Sequence, residues 1–258
     1  MKLQGQVALI TGGGRGIGRE IALRYASEGA AISISGTTET ALQSVVNELA
    51  AGGARTMTTT ADVAVESAVE HLVSRTLAEF GRIDILVNNA GIIGPTAPVF
   101  QVKTDEWQRT LDVNLTGAFL CAKHALPNMI ERSSGRIINI TSVAGLMGYA
   151  LRSPYSVSKW GMIGLTRTLA DEVGRYNITV NAIAPGPVHG ARMEEVIRRR
   201  AAEMGRSIDD VTQEYVGRSS LKRMVDERDV AALALFLASD EGANISGETL
   251  KVAAGFSV

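Results

Sequence analysis

The chain has 258 residues, enough to bury one sizeable core. Its 26 Lys and Arg residues nearly balance 27 Asp and Glu residues, and the net charge of −1 excludes a strongly basic nucleic-acid binder or an acidic tail protein. With 45% hydrophobic and 21% charged residues, the composition is that of a folded chain rather than a disordered one.

The sequence also indicates where the protein works. No apolar run reaches the roughly 18 residues of a membrane-spanning helix, and the N-terminal stretch lacks the features of a secretory signal. The one cysteine, Cys121, cannot form an internal disulfide, which is typical of a reducing compartment. His71, His124 and His189 do not have the spacing of metal ligands. We therefore expect a soluble cytoplasmic protein with no metal site, no membrane partner and no nucleic-acid partner.

Short β-rich runs alternate with longer amphipathic runs along the chain. In the first half, the predicted strands cover Val7–Thr11, Ala30–Ser35, Arg55–Thr60 and Ile83–Asn88. The predicted helices between them cover Gly16–Ser27, Glu39–Ala51 and Glu66–Phe80. In the second half, the predicted helices cover Thr104–Ile130, Tyr155–Arg175 and Asp226–Ser239, and the predicted strands cover Arg136–Thr141, Ile178–Ile183 and Thr249–Val252. The segment Pro185–Arg223 is expected to be irregular and helical only in pieces. This alternation predicts an α/β fold with a parallel sheet. No linker divides residues 1–258, so we expect a single domain.

A glycine-rich turn, Thr11–Gly18 (TGGGRGIG), joins the first predicted strand to the first predicted helix. Glycines allow a pyrophosphate to approach the N–H groups at a helix N-terminus, where partial positive charge favours anions. The position between a strand and a helix favours a dinucleotide site over a plain glycine-rich loop. The spacing is Gly12-x3-Gly16-x-Gly18 rather than GxGxxG.

This spacing resembles the turn of the short-chain dehydrogenase/reductase family, whose members bind NAD(H) or NADP(H). The family's other motifs recur in order and at similar spacing: Asp62-Val63 after the third strand, Asn88–Gly91 (NNAG) ending the fourth, Asn114 in the long helix, Ser142 after the fifth strand, Tyr155 and Lys159 in a YxxxK segment, and Pro185–Val188 after the sixth strand. The similarity covers essentially the whole chain and points to the single-domain, 3-oxoacyl reductase-like members. It implies a Rossmann-like, doubly wound parallel sheet of about seven strands with helices on both faces.

The resemblance also implies which residues contact the cofactor. They are Gly12, Arg15, Gly16, Ile17, Gly18, Thr37, Asp62, Val63, Asn89, Ala90, Gly91, Tyr155, Lys159, Pro185, Gly186 and Val188. Asp62-Val63 matches the family's adenine contact, and Pro185–Val188 matches its nicotinamide-side turn. Other interpretations stay open at single positions. Asp62 also fits a helix cap, Asn88 a tie between neighbouring backbones, and Pro185-Gly186 an ordinary turn.

Tyr155 and Lys159 are four residues apart, so one helix face carries both side chains. A free tyrosine has a pKa near 10, too high for acid–base work at neutral pH. An ammonium at about 4 Å contributes about 4 kcal/mol, which would lower that pKa to roughly 7 before desolvation is counted. The alternative is a solvated pair on a helix surface, which an isolated YxxxK segment would favour.

The resemblance assigns four catalytic residues. Tyr155 is the general acid in reduction and the general base in oxidation, and Lys159 lowers its pKa and holds the ribose hydroxyls. Ser142 hydrogen-bonds the substrate oxygen. Asn114 holds a water that connects Lys159 to solvent as a proton relay.

The end of the second strand favours NADP(H). NAD-selective Rossmann proteins usually place a carboxylate there, against the ribose 2′-hydroxyl, but this chain has Gly36. Glu39 is about the right distance from Gly18 but lies past the strand end in the next predicted helix, where an acidic residue in the first turn is favoured as a helix-dipole contact over a ribose contact. Arg15 resembles the basic residue of NADP(H)-binding members, although the arginine often found after the second strand is replaced by Thr37. We expect NADP(H), with NAD(H) as the alternative.

The substrate side is expected to involve Leu146, Met147, Tyr149 and Arg152, with residues 189–220 as a lid. An anionic substrate is conceivable from the arginines of this segment, but nearby carboxylates offset their charge, and a solvated amphipathic helix is the favoured interpretation. The arginines are Arg192, Arg198, Arg199, Arg200 and Arg206, and the carboxylates are Glu194, Glu195, Glu203, Asp209 and Asp210. Similar proteins commonly form homotetramers, and an apolar C-terminal segment, Leu250–Val258, is compatible with such an interface.

The predicted function is hydride transfer between NADP(H) and a ketone or secondary alcohol. One alternative is a non-catalytic cofactor-binding sensor or scaffold, which has no need for the four catalytic residues. Another is epimerisation or dehydration on the same fold, which usually goes with a larger C-terminal substrate domain that this chain lacks.

Overall fold

A parallel sheet of seven strands forms the centre of the protein, in the order β3-β2-β1-β4-β5-β6-β7. The computed structural model describes residues 1–257. The strands are β1 (Val7–Thr11), β2 (Ala31–Gly36), β3 (Thr56–Thr60), β4 (Ile85–Asn88), β5 (Gly135–Ile140), β6 (Ile178–Pro185) and β7 (Thr249–Val252). The order reverses between β1 and β4, and such a switch point opens a crevice at the carboxyl ends of the strands.

Nine α-helices accompany the strands in the described part of the chain. They are α1 (Gly16–Ser27), α2 (Glu39–Ala51), α3 (Glu66–Phe80), α4 (Thr104–Leu111), α5 (Gly117–Glu131), α6 (Ser153–Val173), α7 (Ala191–Met204), α8 (Ile208–Gly217) and α9 (Glu227–Ala238). Among residues 1–257, none of them is long and apolar enough to cross a membrane.

Alternate residues of the strands pack into two separate cores. Ile10 of β1 packs with Ile21, Leu42 and Val230 of the helices on one face. Leu9, the preceding residue, packs with residues of α3, α5 and α6 on the other face. Successive side chains of a strand point to opposite faces, so a strand that is buried throughout requires helices on both sides. The predicted doubly wound parallel sheet is therefore confirmed.

The prediction of one continuous helix over Thr104–Ile130 is wrong in one respect, because the helix is interrupted. A π-helical turn over Asp112–Thr116 separates α4 from α5. The buried side chain of Asn114 in this turn bonds both the N–H and the carbonyl of Ile92, at 2.7 and 3.1 Å. Helical periodicity carries no signal for such a turn, which depends on a contact with a distant loop and is frequent at functional sites.

The segment Pro185–Arg223, expected to be irregular and helical only in pieces, contains two regular helices, α7 and α8. We name these two helices the lid helices, after the lid that the sequence predicts over residues 189–220. They bury a third apolar cluster that includes Ile197, Val211 and Tyr215. Their many charges mask this apolar spacing in the sequence. The apolar C-terminal segment that the sequence predicts at an interface is Leu250–Val258. Its last residue, Val258, lies outside the described residues.

Candidate active site

The glycine turn lies at the carboxyl end of β1 and leads directly into α1. Gly12 has φ +65°, and a Cβ on it would lie 2.9 Å from the side-chain nitrogen of Asn89. A Cβ on Gly18 would overlap the carbonyl oxygen of Gly12. Only glycine allows the turn to close this tightly.

Side chains at the end of β4 hold the glycine turn in place. The Thr11 hydroxyl accepts hydrogen bonds from the backbone N–H groups of Asn89 and Ala90, at 3.1 and 3.0 Å. The Asn89 amide donates to the carbonyls of Thr11 and Gly12, at 2.9 and 3.1 Å. Asn89, predicted as a cofactor contact, therefore uses its side chain to position the turn.

The N-terminus of α1 fits a pyrophosphate. Its first turn, which contains Gly16, Ile17 and Gly18, carries no acidic residue, and no side chain caps it. Arg15 immediately precedes the helix with extended backbone and an exposed side chain. The helix end thus presents its partial positive charge beside a basic residue, as binding of an anion requires.

The predicted adenine-side residues are already engaged within the protein. Asp62 accepts from the N–H of Ala64 at 3.0 Å and pairs with Arg109 at 2.6 Å. The alternative of a helix cap is wrong, because α3 begins at Glu66 after Val65 and no side chain caps it. The Val63 side chain lies in the core and makes close contact with Gly117. Thr37 is exposed just beyond β2.

The predicted nicotinamide-side turn is held against the last strand. Pro185 ends β6, and the N–H of Gly186 donates to the carbonyl of Val252 at 2.9 Å. Val188 forms a bridge with Val225, which fixes the entry to α7.

Ser142 follows β5, and the first turns of α6 pack closely on its segment. Ser142 caps a short 3-10 turn, its hydroxyl accepting from the N–H of Ala144 at 3.1 Å. The hydroxyl of Ser156 in α6 donates to the Ala144 carbonyl at 2.8 Å. The Thr141 hydroxyl donates to the Lys159 carbonyl at 2.9 Å. These contacts bring Ser142 to the helix that carries Tyr155 and Lys159.

Tyr155 and Lys159 lie side by side on α6, with the Lys159 Nζ 5.8 Å from the centre of the Tyr155 ring. Lys159 is 3% exposed and donates to the carbonyl of Ile140 at 2.8 Å and to the sulfur of Met162 at 3.3 Å. Burial, with a smaller contribution from the positive charge of Arg192, lowers the pKa of Lys159 to about 7. Desolvation therefore weakens the ammonium charge on which the sequence argument relied.

Asn114 is connected to the catalytic helix through a serine that the sequence analysis missed. The Asn114 amide donates to the hydroxyl of Ser158 at 3.1 Å, and Ser158 donates to the carbonyl of Tyr155 at 2.7 Å. A cofactor contact predicted nearby, Gly91, packs against Asn114. The only signal for Ser158 was its place inside the YxxxK segment.

The lid helices contact the loop that follows β5. The hydroxyls of Tyr149 and Tyr215 are hydrogen-bonded, and Arg200 donates to the Ala150 carbonyl at 3.3 Å. A cavity of about 420 Å³ lies between Ile93, α4 and Arg199. A larger cavity of about 690 Å³ lies at residues 251–257, and none of the predicted catalytic residues lines it.

Glu227 at the start of α9 lies beside the glycine turn, a position that its sequence context does not indicate. Its carboxylate lies 3.3 Å from the position that a Cβ on Gly16 would take. Burial, with the nearby charge of Glu20, raises the pKa of this carboxyl group. In the sequence, an acidic residue at a helix start indicates only a favourable helix-dipole contact.

Other reactive groups do not form a second site. Burial raises the pKa of the Cys121 thiol to about 12, as expected for an inert apolar side chain. Within residues 1–257, no group of three or more His, Cys, Asp or Glu side chains could hold a metal ion.

Known proteins are similar to this chain over nearly its whole length. The family model described as short chain dehydrogenase matches residues 6–202. A 3-oxoacyl-[acyl-carrier-protein] reductase of Synechocystis sp. is 40% identical over 255 residues, which is 98% of this chain and 97% of the relative. An NAD+-bound xylitol dehydrogenase structure is 34% identical with a TM-score of 0.96 and covers 99% of this chain and 100% of its own. An actinorhodin polyketide ketoreductase structure with NADPH is 33% identical with a TM-score of 0.93, over 97% of each chain.

The chain therefore belongs to the short-chain dehydrogenase/reductase family. It is an oxidoreductase of that family, and the similar structures bind NAD+ or NADPH, which supports a nicotinamide cofactor here.

Proposed function

We propose that the protein transfers a hydride between NADP(H) and a ketone or secondary alcohol. The observation that carries the proposal is the placement of Tyr155 and Lys159 on one face of α6, with Nζ 5.8 Å from the ring centre. Ser142 lies on the segment that packs against the same helix turns. The reductase, dehydrogenase and ketoreductase among the similar proteins support chemistry at a carbonyl or alcohol carbon.

Each catalytic residue has a defined task in this proposal. The nicotinamide, when bound, supplies or accepts the hydride. In reduction, the Tyr155 hydroxyl donates a proton to the substrate oxygen as negative charge develops there, and in oxidation the phenolate removes that proton. The Ser142 hydroxyl donates a hydrogen bond to the same oxygen.

Lys159 and Asn114 serve the proton on Tyr155. Lys159 stabilises the phenolate and holds the ribose hydroxyls. A buried lysine with a pKa of about 7 can also gain and lose a proton near neutral pH. Asn114 positions the proton relay to solvent. Its side chain is engaged with Ile92 and Ser158, so the water of this relay would bind the main chain of the π-helical turn.

The cofactor preference is proposed from the edge of β2. The strand ends at Gly36, without a carboxylate to repel a 2′-phosphate, and Glu39 is exposed at the start of α2. Arg15 and Thr37 are exposed near this edge and are free to contact a phosphate. A titration with both cofactors tests the preference. Tighter binding of NADPH is expected, and at least a tenfold preference for NADH would reverse it.

We propose that residues 1–258 act as one domain, with residues 189–220 as a lid over the substrate. We also propose a homotetramer, because α5 and α6 expose the apolar side chains of Phe119, Val157 and Trp160, and β7 is an unpaired sheet edge. Light scattering on the purified protein tests this, since a monomer would contradict it.

A sensor or scaffold that binds the cofactor without chemistry is the alternative. A screen of ketones and secondary alcohols with both cofactors, followed by the absorbance of reduced nicotinamide, separates the two functions. Turnover of any pair supports the oxidoreductase, and cofactor binding without turnover of any pair favours the sensor.

A further inference from the structure

Arg152 is a buried cation without a counter-charge. It is 2% exposed and directly precedes α6. Its Nη2 donates to the carbonyl of Ile93 at 2.6 Å, whereas its Nε and Nη1 have no hydrogen-bond partner among residues 1–257. No carboxylate of the described chain forms an ion pair with it. Its environment is unusual, since buried charges are normally paired.

Aromatic rings compensate only part of this cost. The guanidinium carbon lies 5.0 Å from the centre of the Tyr155 ring and 5.7 Å from that of Tyr149. Cation–π contacts at such distances are favourable, but they do not satisfy N–H groups that point elsewhere. The unmet donors therefore lie beside the ring whose hydroxyl meets the substrate oxygen.

Four other arginines of this region have carboxylate partners, whereas Arg192 of α7 donates to the Gly91 carbonyl at 3.0 Å and forms no ion pair within residues 1–257. Arg198 and Arg199 form ion pairs with Glu195 on the exposed face of α7. Arg200 and Arg206 both pair with Glu214 of α8. These two carboxylates balance only half of the charge of the four arginines, but each of the four has a carboxylate partner. Because Arg192 is exposed, Arg152 is the buried arginine next to Tyr155 that has no carboxylate partner in the described part of the chain.

The backbone before Arg152 is strained. Leu151 has φ +67°, a left-handed conformation that L residues rarely adopt, and its carbonyl accepts from the N–H of Ala97 at 3.0 Å. Such strain is energetically unfavourable and clusters at binding and catalytic sites. Here it sets the direction from which Arg152 enters the first turn of α6.

We propose that Arg152 binds a carboxylate of the substrate, so that the substrate is the anion of a keto acid or hydroxy acid. This inference rests on the function proposed above and specifies its substrate class. A carboxylate would give the unmet N–H groups charge-assisted hydrogen bonds while the carbonyl meets Tyr155. A neutral ketone would leave the cation unpaired. The carboxylate reaches Arg152 when the lid helices, which contact Tyr149 and Ala150, move aside.

Kinetics with matched substrates test the proposal. Pyruvate, acetoacetate and levulinate are each compared with the methyl ester, which keeps the ketone and removes the charge. We expect kcat/KM of the wild type to favour at least one anion over its ester by tenfold or more. Arg152→Gln should lower kcat/KM for that anion roughly 10- to 150-fold, mainly through KM, and for the ester less than threefold. Arg152→Lys should restore part of the loss.

The control is Arg198→Gln, which removes an exposed arginine of the lid surface and should leave both substrates unaffected. Equal loss of anion and ester in Arg152→Gln would assign Arg152 a structural role and overturn the proposal. A wild type that favours every ester over its anion would also overturn it.

A binding measurement keeps this test independent of turnover. Calorimetry of the three anions and their esters on Tyr155→Phe, with cofactor bound, requires no reaction. Tighter binding of an anion than of its ester by Tyr155→Phe supports the proposal if the double variant with Arg152→Gln loses this preference. This result supports the proposal even if the wild type turns over none of the six compounds. Absence of turnover would then count against the proposed function alone. Equal binding by both variants overturns the proposal.

Discussion

Burial of Lys159 makes a quantitative prediction about stability. The pKa of its ammonium falls from 10.5 to about 7, a lowering of about 3.5, which corresponds to about 5 kcal/mol at about 1.4 kcal/mol per pH unit. The unfolded chain therefore binds more protons than the folded chain between those two values, and in that range stability rises with pH. The destabilisation is fully present below about pH 7 and disappears above about pH 10.5.

Lys159→Met removes the titrating group from the same buried position. It also removes the hydrogen bond to the Ile140 carbonyl, which contributes about 1 kcal/mol at any pH. Relative to this variant, the wild type should gain about 3 kcal/mol of unfolding free energy between about pH 6.5 and about pH 9.5. Urea denaturation of both proteins without cofactor, at one protein concentration, measures the difference. If the difference in unfolding free energy between the wild type and Lys159→Met stays constant across this pH range, Lys159 is not the desolvated lysine described here.

The glycine turn provides two further predictions. Gly18→Ala places a Cβ against the Gly12 carbonyl, so we expect about 1–3 kcal/mol lower unfolding free energy and at least tenfold weaker cofactor binding, measured by denaturation and by cofactor fluorescence. Thr11→Val removes the acceptor for the N–H groups of Asn89 and Ala90 and should lower the unfolding free energy by about 1–3 kcal/mol, whereas Thr11→Ser should stay near the wild type. Unchanged stability in either variant would contradict the packing described for this turn.

Much of the fold could be predicted because it depends on local periodicity. The bounds of β1, α2 and α3 agree with those expected from apolar spacing. The order of motifs along an alternating β/α chain also indicated which strand ends carry polar side chains. Parallel strands end at one edge of the sheet, so this order was enough to bring Ser142 and Tyr155 to one region.

The rest depended on contacts between distant segments. The π-helical turn at Asn114 depends on its bonds to Ile92, 22 residues earlier. The four-residue spacing of Tyr155 and Lys159 predicted their proximity but not the desolvation that lowers the pKa of the lysine. Arg152 had been counted as one pocket residue among several, because an arginine in a sequence gives no sign that it is buried without a partner.

The most direct test of the account is single-turnover hydride transfer by Tyr155→Phe. The variant retains the ring and the packing of α6 but has no proton to donate. With a substrate that the wild type reduces, we expect the rate to fall by about 10²–10⁴, while the dissociation constant for the cofactor stays within about threefold of the wild type. A rate near that of the wild type would contradict the role of Tyr155 as acid and base.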